Sequence, residues 1–207
     1  MVRIDLSVTK EFSTADEFKQ KFYDKLIIKF SAAGFQYKND GTPIMTQLSE
    51  WLSLLDSNCL VVLIDEYDAP LTSCLDQPNL FKEVRSTMSE LFLTLNSNEG
   101  CLRFFFMTGI TKLSNTSIFS AFNNLEDISL YPKYGTLLGY TEEEIKHFFK
   151  DYLSRAAKQL SLTENQMMEQ LRNHYDGFSF DQNASSHVYC PWSVLKFFNV
   201  CRGILRE

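Results

Sequence analysis

Two kinds of apolar pattern alternate along the chain, and they predict most of its elements. From Cys59 to Ile64 six apolar residues follow one another and stop abruptly at Asp65-Glu66. An unbroken run of that length, rich in branched side chains, suits a strand buried on both faces of a parallel sheet. Cys101 to Met107 is a second such strand, closing at Thr108-Gly109, and Val2 to Ser7 is a shorter candidate near the amino terminus. Between them the spacing changes to that of helices. Phe18, Phe22, Leu26 and Phe30, with Ile27, form one apolar stripe, entered through a Ser13-Thr14 cap with Asp16 and Glu17 and ending near Gly34. After a turn at Lys38 to Gly41, Thr42-Pro43 opens a second helix whose buried side is Leu48, Trp51, Leu52 and Leu55. A polar loop between Pro70 and Pro78 precedes a helix of roughly Asn79 to Leu95. Strand, helices, strand, helix, strand is the order of a right-handed parallel α/β sheet.

Beyond Thr108 the pattern predicts a short helix at Ser114 to Asn124, a short strand at Asp127 to Leu130, and a turn at Pro132 to Gly135. Thr141-x-x-Glu144 is a capping box, and the helix it opens runs to about Leu160. Thr163 with Gln166 begins another, ending near Tyr175. Phe178 to Phe180 can pair with Val188-Tyr189, and Pro191 starts a last helix containing Trp192, Leu195, Phe197 and Phe198. The boundary therefore falls near Tyr140, with an α/β part (1–140) before it and a mainly helical part (141–207) after it.

Composition narrows the field of functions. The chain has 207 residues, 44% apolar and 22% charged, which is an ordinary globular balance with room for a real core. With 18 Phe that core is expected to be aromatic, and Trp192 and the Phe178–Phe180 pair are read as part of it. A net charge of −6 argues against a broad nucleic-acid surface. The five cysteines have no CxxC spacing and read as small buried thiols. The three histidines stand far apart and form no metal-ligand pattern. No apolar run approaches the ~18 residues of a membrane span, and the expectation is a soluble, cytoplasmic protein without a membrane partner.

Candidate chemistry gathers at strand ends. Ligands of parallel sheets bind outside the carboxyl ends of the strands, where Asp65 and Glu66 would stand. An aliphatic strand ending in Asp-Glu is the Walker B pattern, in which the Asp holds Mg²⁺ and the Glu orients the attacking water. The alternative is a core strand that runs into an acidic turn. Thr108, Thr111 and Lys112 lie at the end of the next strand. Thr108 is the best placed to touch a γ-phosphate, the alternative being an ordinary strand-to-turn threonine. Asp68 reads either as a support for these acids or as a helix cap near Pro70.

The blocks LIDEYDAPL, TGITKLSNTSIFSAFNNLEDISL, LGYTEEEI, HYDGFSF and VYCPWSVLKFF follow one another in the order and spacing of a known family. The chain resembles the AAA-ATPase-like family of microbial P-loop proteins, often fused to a PD-(D/E)XK nuclease-like domain. That resemblance implies a P-loop NTPase sheet of the AAA-like type, with Val2–Ser7 and Cys101–Met107 flanking Cys59–Ile64. It also implies that Asp65 binds Mg²⁺, that Glu66 and Thr108 act on ATP as Walker B and sensor residues, and that 141–207 is a small helical lid. The departure is equally plain: no GxxxxGK[ST] occurs in the sequence. The sheet is therefore expected to lack its P-loop strand, which in the family lies between the sensor strand and the strand here at Asp127–Leu130. The sensor strand and that last strand are then each expected to show an exposed or badly paired edge, or to close onto each other over a gap. The short carboxyl end is expected to leave no room for the nuclease domain. The expected function is that of a truncated ATPase module, contributing Walker B and sensor residues to ATP·Mg²⁺ when a P-loop completes it. The alternative is a degenerate module that binds no nucleotide and serves protein interaction with an unspecified partner.

Overall fold

The computed structural model describes residues 1–111 and 125–203. Contacts divide the chain into two units, Met1–Leu125 and Glu126–Glu207. In the first, strands β1 (Val2–Asp5), β2 (Leu60–Asp65) and β3 (Leu102–Met107) form one parallel sheet in the order β1-β2-β3. Both neighbours of the central strand are those the resemblance implies. Ile4 stands opposite Ile64 on one side, and Met107 opposite Ile64 on the other.

Helix α1 (Ala15–Ser31) begins where the sequence places its cap: the Thr14 hydroxyl accepts from the Glu17 N–H at 3.2 Å. That satisfies one amide which a helix start leaves without a partner, and the Glu17 carboxylate accepts from the Ser13 N–H just before the cap at 2.8 Å. Its stripe of Phe18, Phe22, Leu26 and Phe30 is fully buried. These rings share one core with Leu48 and Leu52 of α2 (Ile44–Ser53) and with Val84, Met88, Leu91, Phe92 and Leu95 of α4 (Pro78–Ser97). Val2, Ile4, Leu60, Val62 and Ile64 close that core from the sheet side. Ring stacking adds to it, with Phe18 and Phe22 centroids 5.4 Å apart.

The opposite face of the sheet is more open. Residues in register share a face, and Val61 stands opposite Phe104, Leu63 opposite both Arg3 and Phe106. Phe104 is 54% exposed and Phe106 37%, their rings stacked 6.1 Å apart. Among the described residues β3 pairs only with β2. The edge of β3 away from β2 carries no strand among the described residues.

In the second unit, Thr141 and Glu144 form the capping box that starts α5 (Glu142–Phe148), and Thr163 with Gln166 forms the one that starts α7 (Glu164–Tyr175). Ile145, Leu153, Met167, Leu171, Val194 and Phe198 are among the residues of its core. The stretch 126–140 has its contacts in this unit. Tyr140 and Tyr189 exchange both backbone hydrogen bonds, at 3.0 and 2.8 Å, and the Leu130 carbonyl accepts from the Gln182 N–H. Phe178 pairs antiparallel with Val188, as the pattern predicts. The loop between them folds around Asp181, which is 5% exposed. The Ser185 N–H foremost, with the N–H and hydroxyl of Ser186 and the Asn183 N–H, holds the Asp181 carboxyl well below the usual carboxylate range.

Several expectations need correction. Asp127–Leu130 is not a strand: the Asp127 carboxylate accepts from the Ser129 N–H at 3.1 Å and the chain turns there. The loop after Pro70 contains a short helix, α3 (Ala69–Thr72), which buries Pro70 and Leu71. The helix opened by Thr141 is two, α5 and α6 (Lys150–Gln159), broken at Phe149. At the break the Phe149 ring stacks on Phe198 at 5.4 Å. On α8 (Pro191–Gly203) Trp192 is 68% exposed beneath the Lys196 ammonium, and Phe178 is 49% exposed; neither is core. Cys59 is exposed rather than buried, and all five cysteines are free thiols. The helix expected at 114–124 lies outside the described residues. No helix among the described residues is long and apolar enough to cross a membrane.

Candidate functional site

Strand β2 is aliphatic up to Ile64, and the ladder then continues for one further step on each side. The Leu6 N–H donates to the Asp65 carbonyl at 2.9 Å and the Thr108 N–H to the Ile64 carbonyl at 2.9 Å. Asp65 and Thr108 are thereby held side by side at the carboxyl ends of neighbouring strands. Their side chains meet: the Thr108 hydroxyl donates to Asp65 Oδ1 at 2.5 Å. On the other side Arg3 of β1 approaches Asp65 Oδ2 at 3.5 Å. This pair is open to water, with the Arg3 side chain 65% and the Asp65 side chain 45% exposed, so it holds the carboxylate only loosely.

Glu66 leaves the strand. Its backbone is left-handed, with φ +50°, a conformation that costs a non-glycine residue roughly 1–2 kcal/mol. The consequence is that Asp65 and Glu66 no longer alternate as strand residues would. The Glu66 carboxylate has no hydrogen-bond or ion-pair partner among the described residues. Backbone strain of this kind, held in place by the structure around it, is a feature of working sites.

What holds it in place is the pair that follows. Tyr67 and Asp68 turn inward, 6% and 3% exposed. The Tyr67 N–H donates to the Thr108 carbonyl at 2.9 Å and its hydroxyl to the Thr111 carbonyl at 2.8 Å. Asp68 accepts from the Ile110 N–H at 3.2 Å and the Thr111 N–H at 2.6 Å. Thus the segment DEYD sends two acids toward solvent and two residues into the loop that follows β3.

The structure brings Asp65 and Thr108 into contact and sets Glu66 next to them. It assigns Thr111 to the loop backbone contacts, and Lys112 lies outside the described residues. Sequence reasoning missed Arg3, whose only signal is its register position one strand away. Tyr67 was missed too, and Asp68 was left ambiguous. No cluster of three or more His, Cys, Asp or Glu residues suited to a metal exists among the described residues. A lone, half-exposed carboxylate does fit Mg²⁺, which takes one or two protein carboxylates and fills its octahedron with water and substrate phosphates.

Residues 1–119 match the family described as Predicted AAA-ATPase. The chain belongs to the AAA-ATPase-like family. The acidic end of β2 and the Thr108 end of β3 both lie within the matched residues. The chain is also 32% identical over 139 residues to an Azotobacter chroococcum mcd 1 protein described as an uncharacterized protein in the vnfD 5′ region. That alignment covers 67% of this AAA-ATPase-like chain and 24% of the relative. The chain thus spans about a quarter of that relative's length. No solved structure matches it.

Proposed function

We propose that this AAA-ATPase-like chain is the Walker B and sensor part of a P-loop ATPase module, acting on ATP when a phosphate-cradling loop is joined to it. The observation that carries the reading is the juxtaposition of Asp65, Glu66 and Thr108 at the carboxyl ends of adjacent parallel strands. Bound Mg²⁺ would neutralise charge on the β- and γ-phosphates. Asp65 would hold the hydrated ion through its exposed carboxylate, in place of the loose Arg3 contact. Glu66, without a partner among the described residues, accepts hydrogen bonds from the attacking water and orients it. Thr108 donates its hydroxyl hydrogen bond to Asp65 and so presents its oxygen lone pairs outward, toward water or a second donor. The 126–207 unit takes the place of the helical lid in this reading.

The sequence contains no GxxxxGK[ST], so the backbone amides and lysine that grip the phosphates come from elsewhere. Each such charge-assisted bond contributes roughly 1.5–3 kcal/mol. A few of them exceed the ~4 kcal/mol between millimolar and micromolar binding. The 207 residues alone are therefore expected to show no micromolar binding of Mg·ATP by calorimetry. A form carrying a Walker A strand and loop is expected to bind it, with Asp65→Asn weakening binding about tenfold. Micromolar binding by the 207 residues alone, abolished by Asp65→Ala, would remove the need for an added loop. A completed form that binds no nucleotide would sink the ATPase reading. It would favour an interaction module instead, a role to which the exposed Phe104 and Phe106 of β3 are suited.

A further inference from the structure

Asp68 is a buried acid for which the proposed hydrolysis has no use, and two ordinary explanations for it fail. It stands at the N-cap position of α3, but its side chain makes no capping hydrogen bond. Among the described residues it has no basic partner, either: its two carboxylate oxygens accept from the N–H groups of Ile110 and Thr111, at 3.2 and 2.6 Å. Those amides belong to the loop that begins where Thr108 ends. An ionised carboxylate is an acceptor on both oxygens, and two converging N–H donors call for that. An amide in its place would satisfy one donor and turn its own N–H₂ against the other.

The rest of the contact is built to the same purpose. Tyr67 grips the loop at both ends, through the Thr108 and Thr111 carbonyls. Gly109 lies so close that a Cβ there would stand 2.5 Å from the Tyr67 ring and 2.6 Å from the Asp68 carboxylate. Only a residue without a side chain lets the loop settle this deep. Thr108 is thus anchored from its C-terminal side by Tyr67 and Asp68, which themselves follow Asp65 and Glu66 on the chain.

We propose that Asp68 is a positioning residue, whose buried carboxylate latches the 109–111 loop to the end of β2 and so fixes Thr108 against Asp65. Its effect on turnover rests on the ATPase reading; the latch itself does not. Two measurements separate them. In the 207-residue chain, amide hydrogen exchange is followed by NMR in the parent and in Asp68→Asn. Exchange at Ile110 and Thr111 is expected to rise at least tenfold, while Val62 in β2 and Leu91 in α4 keep their protection. Equal loss at all four sites, or no change at 110 and 111, would overturn the latch. In a Walker A-bearing form that hydrolyses ATP, Asp68→Asn is expected to lower kcat about tenfold with KM for ATP within twofold of the parent. Adding Thr108→Ala to it should cost little more than either change alone, because both act on one contact. A rise in KM at unchanged kcat, or full additivity, would overturn the positioning role. If the parent form hydrolyses no ATP, the ATPase reading falls and the exchange pattern still decides the latch.

Discussion

Glu66→Gln, in a form of the protein that carries a Walker A loop, is expected to bind Mg·ATP like the parent and hydrolyse it at least ~100-fold more slowly. Glutamine keeps the length and shape of the side chain and loses the charge with which, in the proposed function, it orients the attacking water. Substrate contacts do not involve Glu66 in the proposed arrangement, so KM should stay within a few-fold while kcat falls. The asymmetry with Asp65 is geometric. Asp65 is bonded to Thr108 and approached by Arg3, and in the proposed arrangement it would hold a hydrated cation beside the phosphates. Glu66, turned out of the strand by its positive φ, has a carboxylate with no partner to displace among the described residues. Steady-state kinetics with the two single variants separates the roles, and parent-like turnover in Glu66→Gln would return this residue to an acidic strand terminus.

The second large effect lies in the core. Phe22→Ala is expected to destabilise the first unit by about 3–5 kcal/mol, the cost of deleting a buried ring and leaving its cavity. Phe22 is 1% exposed and stacks on Phe18, so neighbouring rings cannot close the gap without leaving their own packing. A domain is stable by only about 5–15 kcal/mol in all, so the midpoint of urea unfolding should drop steeply. Phe104→Ala is the control. At 54% exposure its removal creates no cavity, and its midpoint should move by no more than a small fraction of the Phe22 shift. Comparable losses at both positions would mean that the open face of the sheet is covered in solution.

The sequence was informative wherever one local rule settled the matter. An unbroken aliphatic run gave β2, a four-residue stripe of Phe and Leu gave the buried face of α1, and Thr-x-x-Glu gave the start of α5. The strand order came from the family resemblance, because periodicity says nothing of which strands are neighbours. It failed where distant residues decide. DISL alternates like a strand, yet Asp127 takes the Ser129 amide for itself. Residues 141–160 keep a helical period through Phe149, where the helix breaks and the ring packs on Phe198, far along the chain. Of the site, Asp65, Glu66 and Thr108 were legible because strand ends are marked by an abrupt change of polarity. Arg3 was not, since its approach to Asp65 depends on pairing across two strands. Asp68 was visible as an acid near a proline, and its real partners are two backbone amides more than forty residues away.

The left-handed turn at Glu66 sets stability against activity. Asparagine tolerates φ +50° better than glutamate does, because its short side chain bonds locally. Glu66→Asn should therefore raise the melting temperature of the chain slightly while abolishing turnover in any completed form. Selection for foldability alone would drift toward Asn or Gly here, as stabilising changes at working sites commonly cost function. A glutamate that persists at this turn in other members of the family would be kept for its chemistry, against its own backbone preference. A melting temperature lowered by Glu66→Asn would show that the turn is relaxed as it stands and that no such conflict exists.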